Sequence, residues 1–340
     1  MKFDGKVTRV SVEITDVCNL RCSFCYNMTG NHHGKDVDTE KIIGAIDFLK
    51  SEDTEVILSG GEPILHKNLE ILLQKLGDMN IKSIRMISNI TMAKDEILDL
   101  LKKYNVKLQI SFYHDKTMFW NKDKHIYHRQ LEVIEQITKK NLPELSFRCM
   151  IYKNNIDSID DIINTALNYD IKQIYFERVH QTGYAKRNSD IVLSTQEQYN
   201  IYKLLLHNQK KYEDSLDIQV FGLHSGLCGL HSEQKEWKIS LSSDGSVYPC
   251  NALAEKQFAL GNYFTEDWEL IFSEDRMNKV RQSLTDALRP CEKCTIRSRC
   301  MPPCPGGSGG NRNEFDNGCG LRKILCLTNS YTQKKEERKI

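Results

Sequence analysis

The sequence predicts an α/β protein built on a parallel sheet, either an open partial barrel or a doubly wound sheet. Two observations predict it. Six short runs rich in β-branched and apolar residues occur before about residue 215, and amphipathic helical patterns separate them. Strands that alternate with helices form parallel sheets. Six such units fall short of the eight in a complete barrel, and function is expected at the carboxyl ends of the strands.

The predicted elements can be located in chain order. Two intervening segments place apolar residues at the i, i+3, i+4, i+7 spacing of an amphipathic helix, from Leu69 to Leu76 and from Ile159 to Ala166. The predicted strands are Val7 to Ile14, Glu55 to Ser59, Ser83 to Ser88, Val106 to Phe112, Leu145 to Tyr152 and Ile171 to Val179.

The alternation of strands and helices stops after about residue 216. Asp244 and Gly245 are typical of a hairpin turn between two short strands, Trp237 to Leu241 and Ser246 to Tyr248. Pro290 and the GGSGG run that starts at Gly306 indicate irregular backbone beyond the hairpin. We therefore predict a barrel over residues 1–215, a loop-rich, cysteine-rich second domain over residues 216–330, and a solvated charged tail over residues 331–340.

Charge and hydrophobicity exclude several classes of function. The 340 residues carry 47 basic and 46 acidic side chains, a net charge of +1, so no overall field recruits nucleic acid or an anionic membrane. The sequence has neither a signal peptide pattern nor a run of about 18 apolar residues. We expect a cytoplasmic protein without nucleic-acid or membrane partners. Its 12 cysteines are unevenly spaced and bunched as metal ligands would be.

A C-x3-C-x2-C array formed by Cys18, Cys22 and Cys25 directly follows the first predicted strand. A zinc ribbon would need a fourth ligand nearby, and none is present. Three thiolates can instead hold three irons of a four-iron cluster and leave one iron open for a small ligand. On spacing alone, a redox C-x2-C pair or buried thiols remain alternatives. Cys149, on the fifth predicted strand, is interpreted as buried packing.

This array resembles that of the radical S-adenosylmethionine (SAM) superfamily, in which C-x3-C-x-aromatic-C after the first strand binds the catalytic cluster. Phe24 fills the aromatic place. The resemblance implies a partial (β/α)6 TIM-like barrel whose second strand ends in a GGEP-like segment that receives the methionine amino group of SAM. Glycines allow close approach of a ligand, and a glutamate can pair with an ammonium. The matching residues here are Ser59, Gly60, Gly61, Glu62 and Pro63.

Four further residues match places that often contact the ribose or carboxylate of SAM in that superfamily. They lie after strand three, at the end of strand four and on strand five: Ser88, Asn89, Ser111 and Arg148. The residues alone also allow strand-end hydrogen bonding for Ser88 and Ser111, and a structural ion pair for Arg148.

A second group of seven cysteines begins at Cys228 and ends at Cys319, more than one metal site needs. A C-x2-C pair is common to zinc and iron-sulfur sites, so zinc is an alternative. The order and spacing resemble the SPASM extension of radical SAM enzymes. That resemblance implies two auxiliary clusters. It gives the distal cluster Cys291, Cys294, Cys300 and Cys319, and the cluster nearer the active site Cys228, Cys250 and Cys304.

The nearer auxiliary cluster lacks an evident fourth ligand. Many relatives have a further cysteine between the places of Cys228 and Cys250, whereas His231 is the only histidine or cysteine in this interval. Cys326, His224 or an open iron are the other candidates. We favour open or non-cysteine coordination, because Cys326 lies in an apolar run typical of a buried thiol.

The combined resemblance implies three 4Fe-4S clusters, one that binds SAM and two auxiliary. A reduced cluster passes one electron to S-adenosyl-L-methionine, and the resulting 5'-deoxyadenosyl radical takes hydrogen from a substrate. SPASM relatives mostly modify peptides, and some act on sugars or haem precursors. We favour a ribosomally made peptide, with a small metabolite as the alternative and a non-enzymatic zinc protein as a minor one. A flavodoxin or ferredoxin is the expected reductant.

Two details refine the expected reaction. Sulfatase-maturing relatives have an aspartate base directly after the place of Cys250, whereas Asn251 stands here and cannot accept a proton in that way. Little sequence precedes Cys18, so we expect a separate leader-recognition protein or a small substrate. The segment from Gly183 to Arg187 resembles a loop that lies near the substrate in SPASM proteins. No catalytic acid or base is assigned.

Overall fold

A computed structural model of the chain describes residues 6–28, 34–114, 125–179, 183–220 and 236–288. Within these ranges one sheet of ten strands has the order β10-β9-β8-β1-β2-β3-β4-β5-β6-β7. The strands are β1 Lys6–Thr15, β2 Glu55–Gly60, β3 Ser83–Ser88, β4 Lys107–Ser111, β5 Leu145–Ile151, β6 Gln173–Arg178, β7 Asp217–Val220, β8 Glu236–Leu241, β9 Ser246–Tyr248 and β10 Gly261–Asn262.

The strand order identifies an open partial barrel. Strands β1 to β7 are parallel, and each lies beside the next one in the chain. A doubly wound sheet would reverse its order at a switch point. No reversal occurs along these seven strands. Of the two predicted alternatives, the partial barrel is therefore confirmed.

Helices connect the parallel strands and cover the outer face of the sheet. The helix α1 begins after Asp38, whose side chain accepts from the Lys41 backbone N–H, and α6 begins at a reciprocal pair between Ser194 and Glu197. The helices are α1 Thr39–Leu49, α2 Leu69–Gly77, α3 Asp95–Lys103, α4 His125–Lys140, α5 Ile159–Asn168, α6 Thr195–Lys211, α7 Trp268–Ile271 and α8 Glu274–Leu288. None of the helices in the described ranges is long and apolar enough to cross a bilayer.

The two faces of the sheet differ in polarity. On β1, Val10, Val12 and Ile14 are fully buried in the main apolar cluster, which also contains residues of α1 and α2. Because side chains alternate along a strand, Ser11 and Glu13 point to the opposite, inner face. Both are buried polar residues. The partial barrel therefore has an apolar outer layer and a polar interior.

The predicted strands and the two predicted helices are confirmed, with ends shifted by at most two residues. The structure adds a seventh parallel strand, β7, which the sequence pattern did not indicate. It has four residues and alternates exposed Asp217 and Gln219 with buried Ile218 and Val220. A strand this short, half of it polar, carries too weak a pattern to be recognised in the sequence.

The predicted hairpin is also present, and it extends the barrel sheet. Strand β8 pairs in parallel with β1 and antiparallel with β9. Phe48 of α1 stacks on Trp268 of α7 at a centroid distance of 4.8 Å. Residues 236–288 are thus joined to the barrel by backbone hydrogen bonds and by aromatic packing.

Candidate active site

The loop between β1 and α1 carries the first three cysteines at the carboxyl ends of the strands. We refer to residues 16–28 as the cysteine loop. Its chain turns tightly, because the backbone N–H of Cys25 donates to the carbonyl of Cys22 at 3.1 Å. The backbone N–H of Leu20 lies 3.4 Å from the sulfur of Cys18. All three cysteines are partly buried.

The electrostatics of Cys22 fit an iron-sulfur site. Burial and the nearby Cys25 and Cys18 raise the pKa of Cys22 well above its ordinary value. Thiolates in this position need compensating positive charge, which metal ions supply. Among the described residues, no three His, Cys, Asp or Glu side chains are arranged to hold a single metal ion. Thiolates that bind different irons of one cluster need not meet at a single point.

The Ser59–Pro63 stretch, which we call the SGGEP segment, packs directly on the cysteine loop. The backbone N–H of Gly61 donates to the Thr15 carbonyl, and that of Glu62 to the Val17 carbonyl, both at 2.7 Å. A Cβ on Gly60 or Gly61 would overlap the backbone of residues 15–17. The glycines are therefore required because the SGGEP segment packs closely on the backbone of the cysteine loop. The sequence had suggested only that they allow close approach of a ligand.

The carboxylate of Glu62 is only 1% exposed and connects β2 to β3. Its Oε1 accepts from the Ser88 hydroxyl at 2.6 Å and from the Ile64 backbone N–H at 3.3 Å. Its Oε2 accepts from the Asn89 backbone N–H at 2.7 Å. Burial raises the pKa of Glu62 to about 7, although these hydrogen bonds lower it. A cationic group beside this carboxyl would favour its ionised form.

The side chain of Asn89 connects the end of β3 to the cysteine loop. Its Nδ2 donates to Oδ1 of Asn19 at 3.1 Å, and its Oδ1 accepts from the Thr91 hydroxyl at 2.6 Å. Asn19 Nδ2 in turn donates to the Thr91 hydroxyl oxygen at 2.8 Å. The three side chains form a closed ring of hydrogen bonds between two loops that the sequence places far apart.

The aromatic residue of the array is packed against other rings. Phe24 is 9% exposed, and its centroid lies 5.5 Å from that of Tyr152 and 6.2 Å from that of Tyr113. The hydroxyl of Tyr113 lies 3.9 Å from the sulfur of Cys22. An apolar wall therefore supports the cysteine loop from the side of β4 and β5.

The remaining predicted SAM contacts lie at the same ends of the strands. Ser59 and Ser111 are partly exposed at the ends of β2 and β4. Arg148 of β5 lies 3.4 Å from a Glu177 carboxylate oxygen and 3.4 Å from the Gln109 amide oxygen. Its side chain is 37% exposed, so these long contacts leave part of it accessible.

Glu13 is a buried carboxyl that sequence reasoning did not single out. Its Oε1 accepts from Tyr26 at 2.9 Å and Asn27 at 2.7 Å, and its Oε2 from the Ser243 backbone N–H at 3.2 Å. Burial raises the pKa of Glu13. Ser243 also hydrogen-bonds Asp16 through its hydroxyl. The sequence does contain a signal for Glu13. Polar residues occupy every second place along this strand, at Arg9, Ser11 and Glu13.

The segment from Gly183 to Arg187 contacts the other end of the cysteine loop. The Tyr184 backbone N–H donates to the Cys25 carbonyl at 3.0 Å, and its hydroxyl donates to the Met28 carbonyl at 3.2 Å. Gly183 has φ +51°, and a Cβ there would overlap the carbonyl oxygens of Cys25 and Tyr26. This segment therefore positions the cysteine loop.

Of the second group of cysteines, the described residues include only Cys250. It is partly buried directly after β9, and Asn251 beside it is exposed. The other predicted ligands and candidates lie outside the described residues: Cys228, Cys291, Cys294, Cys300, Cys304, Cys319, Cys326, His224 and His231.

Two family models match the chain. Residues 12–166 match the model of the radical SAM superfamily, and residues 233–295 match that of the SPASM iron-sulfur cluster-binding domain. The second match includes Cys250, Cys291 and Cys294, and it ends before Cys300. The chain is a radical SAM enzyme with a SPASM domain.

Two kinds of protein are found among the relatives. The subtilosin biosynthesis protein AlbA of Bacillus subtilis is 27% identical, over 92% of this chain and 69% of AlbA. A GTP 3',8-cyclase of Helicobacter pylori is 26% identical, over 83% of this chain and 93% of the cyclase. The sequence thus resembles both a bacteriocin biosynthesis protein and nucleotide cyclases.

Solved structures share the fold. The anSMEcpe structure with bound AdoMet has a TM-score of 0.69 at 16% identity and covers 95% of this chain and 99% of its own. Streptococcus suis SuiB bound to S-adenosylmethionine has a TM-score of 0.66 at 15% identity and covers 89% and 74%. At this identity, the likeness supports the architecture alone.

Proposed function

We propose that the chain uses SAM and iron-sulfur clusters to remove hydrogen from a peptide substrate and modify it oxidatively. The observation that carries the proposal is the direct bonding of the SGGEP segment to the cysteine loop. Gly61 and Glu62 donate to the carbonyls of Thr15 and Val17. The residues proposed to bind SAM and those proposed to bind the cluster are thereby held at one edge of the sheet.

Cys18, Cys22 and Cys25 would hold the catalytic 4Fe-4S cluster. When cluster and SAM are bound, transfer of one electron to the sulfonium yields a 5'-deoxyadenosyl radical that abstracts hydrogen from the substrate. The proposed SAM contacts are Phe24, Ser59, Gly60, Gly61, Glu62, Ser88, Asn89, Ser111 and Arg148.

The protein residues hold charge and exclude water in this scheme. Glu62 offers a buried carboxyl to the methionine ammonium, and its neighbours Ser88 and Asn89 fix its orientation. Arg148 supplies an accessible guanidinium for a carboxylate. The packed ring of Phe24 keeps solvent away from the cysteine loop on one side. A dry site protects a carbon radical from competing hydrogen donors.

Two auxiliary 4Fe-4S clusters complete the proposal. Cys250 is presented by the hairpin whose turn bonds Glu13 and Asp16 at the end of β1. The other proposed ligands are Cys228 and Cys304 for the nearer cluster, and Cys291, Cys294, Cys300 and Cys319 for the distal one. Held by these cysteines, the clusters would supply an electron acceptor for a two-electron oxidation of the substrate.

The similarity to AlbA supports a peptide substrate, since that protein is named for the biosynthesis of the bacteriocin subtilosin. One structure that shares the fold is SuiB bound to the precursor peptide SuiA. We propose that a separate protein recognises the leader of the peptide, and that flavodoxin or ferredoxin supplies electrons.

A nucleotide is the second candidate substrate. Seven of the similar proteins are GTP 3',8-cyclases, at 23 to 26% identity. The polar barrel interior, with Arg148 accessible, suits a phosphate as well as a carboxylate. GTP is therefore the small metabolite to compare with a peptide.

The test is anaerobic reconstitution followed by assay with each substrate class. The wild-type protein should bind about twelve irons and form 5'-deoxyadenosine, and Cys291→Ala or Cys319→Ala should remove about four irons. A short peptide encoded beside the gene should lose two hydrogens, whereas GTP should be unchanged. Conversion of GTP with no change in the peptide would reverse the substrate assignment. Binding of only four irons would contradict the auxiliary clusters.

A further inference from the structure

A buried glutamine on α4 joins the ends of two barrel strands. Gln130 is 0% exposed. Its Nε2 donates to the Asn89 carbonyl at 2.9 Å and to the Ser111 carbonyl at 2.8 Å. Its Oε1 accepts from the Tyr113 backbone N–H at 2.9 Å. A primary amide has two N–H donors, and here both are used for the backbone of different strands.

The three backbone groups belong to segments of the proposed SAM and cluster site. Asn89 bonds Glu62 through its backbone and Asn19 of the cysteine loop through its side chain. The hydroxyl of Tyr113 lies beside Cys22. Gln130 is therefore one hydrogen bond away from residues on both the SAM side and the cluster side of the site.

Arg129, the residue before Gln130, bonds the same turn after β3. Arg129 Nε donates to the Thr91 carbonyl at 3.1 Å, and its Nη2 donates to the Ala93 carbonyl at 3.2 Å. The start of α4 thus donates to carbonyls along the whole turn that follows β3. Arg129 is partly exposed, with 38% of its side chain accessible, so it can be changed with little effect on the core.

The position of Gln130 in its helix is unusual. Ile126, Val133, Ile134 and Ile137 are buried on the inward face of α4, and Gln130 occupies the same face. An apolar residue there would contribute packing, whereas a buried amide must be fully hydrogen-bonded to be tolerated. The fit to three backbone groups gives this amide a geometric role that an apolar residue cannot perform.

We propose that Gln130 is a positioning residue that sets the spacing between the ends of β3 and β4 and so fixes the SAM contacts in place. This inference rests on the proposed SAM site. Without the amide, Asn89 and Ser111 lose their common partner, and three buried or partly buried backbone groups lose a hydrogen bond. The segments would then settle at a different spacing, and SAM would bind a site that is formed only part of the time.

The test compares two substitutions at Gln130 with a matched buried glutamine. Gln198 of α6 is 8% exposed, donates to the Leu193 carbonyl at 2.9 Å and accepts from Arg178 at the end of β6, so its partners are not among the proposed SAM or cluster ligands. Gln130→Met keeps the size but removes the polar atoms. Gln130→Glu keeps an acceptor for Tyr113 but directs its other carboxylate oxygen at two carbonyls. Gln198→Met reports the general cost of losing a buried amide.

Three properties of each reconstituted variant are measured: its iron content, the KM and maximal rate of SAM cleavage, and the change in the reduced-cluster electron paramagnetic resonance spectrum on addition of SAM. We expect Gln130→Met to keep wild-type iron and raise the KM for SAM about tenfold, a loss of about 1.4 kcal/mol. Gln130→Glu should raise it further, and both should weaken the SAM-induced spectral change. Gln198→Met should leave all three unchanged.

The remaining outcomes distinguish a failure of the positioning role of Gln130 from a failure of the proposed function. An unchanged KM for SAM in Gln130→Met overturns the positioning role, as does an equal rise in Gln198→Met. If Gln130→Met fails to hold iron, Arg129→Met decides, because we expect it to keep iron and raise the KM about threefold. No change in that variant overturns the proposal. A wild-type protein that holds its cluster but forms no 5'-deoxyadenosine contradicts the proposed function instead.

Discussion

The hydroxyl of Ser88 donates a 2.6 Å hydrogen bond to Oε1 of Glu62, and this contact joins the ends of two neighbouring strands inside the protein. Both residues are 1% exposed. The carboxyl is thus kept out of water by the protein itself, and its protonation is coupled to stability.

Glu62 should make the stability of the cluster-free protein depend on pH. Burial raises its pKa from the ordinary 4.5 to about 7. A pKa raised in the folded state stabilises the protein below about 4.5, and the contribution is lost as the pH rises through about 7. Between about pH 4 and pH 8, the wild-type protein should lose roughly 3 kcal/mol of unfolding free energy relative to Glu62→Gln. Denaturant titrations at several pH values measure this.

Glu144 provides a control of opposite sign. Burial raises its pKa, but hydrogen bonds from Lys107 and Arg85 outweigh this and hold the pKa of Glu144 below its ordinary value. A lowered pKa gives stability that is present at neutral pH and lost in acid. Relative to Glu144→Gln, the wild-type protein should therefore lose stability as the pH falls. If the unfolding free energies of wild type and Glu62→Gln change in parallel with pH, the prediction for Glu62 is refuted.

The three cysteines of the cysteine loop should each be required for SAM cleavage. Replacement of Cys18, Cys22 or Cys25 by alanine leaves one iron without its thiolate, so 5'-deoxyadenosine formation should fall to background. Cys149 is the matched control, since it is 1% exposed within the core. Cys149→Ala should lose some stability and keep SAM cleavage. Wild-type rates in any of the three variants would exclude that cysteine from the cluster.

Gly183 should be needed to hold the cysteine loop in place. In Gly183→Ala, the new methyl group meets the carbonyls of Cys25 and Tyr26 at a backbone conformation that alanine disfavours. We expect a loss of about 1 to 3 kcal/mol and a lower iron content after reconstitution. Gly44 of α1 has open space around it, so Gly44→Ala should be neutral or slightly stabilising. Equal behaviour of the two variants would be inconsistent with this role.

Loss of the Glu13 carboxylate should loosen the junction between the cysteine loop and the hairpin. Glu13→Ala leaves the donors of Tyr26, Asn27 and Ser243 without their acceptor, at a cost of about 2 to 4 kcal/mol. Thermal unfolding and the spectrum of the auxiliary clusters report the two sides of the junction. Glu70→Ala, at a side chain 67% exposed, should change neither. A stable Glu13→Ala variant with unchanged spectra would disprove the coupling.

Local patterns predicted the strands and proposed the ligands, because both depend on residues close together in the sequence. The six strands follow from β-branched runs, and the cysteine array from its spacing. The polar network was not predictable in this way. Asn19 and Thr91 are 72 residues apart, and Gln130 meets Asn89 across 41. Contacts of this kind depend on how the segments pack, and a single sequence does not encode them as a local signal.

Glu62 illustrates the same limit within a predicted motif. The SGGEP pattern correctly marks the end of β2, and it associates the glutamate with a ligand. The structure adds that the glutamate is bonded to Ser88 and Asn89, and that the glycines pack on Thr15 and Val17. These partners follow from the curvature of the sheet, which brings the ends of β1, β2 and β3 together.

The pairing of β8 with β1 imposes a delay during synthesis on the ribosome. Lys6 pairs with Glu236, so β1 waits for a partner that is made about 230 residues later. At roughly 5 to 20 residues per second, that interval lasts on the order of 10 to 50 s. Meanwhile one edge of β1 is open to pairing with other chains. Expression at low temperature or with chaperones should therefore improve the yield of soluble protein.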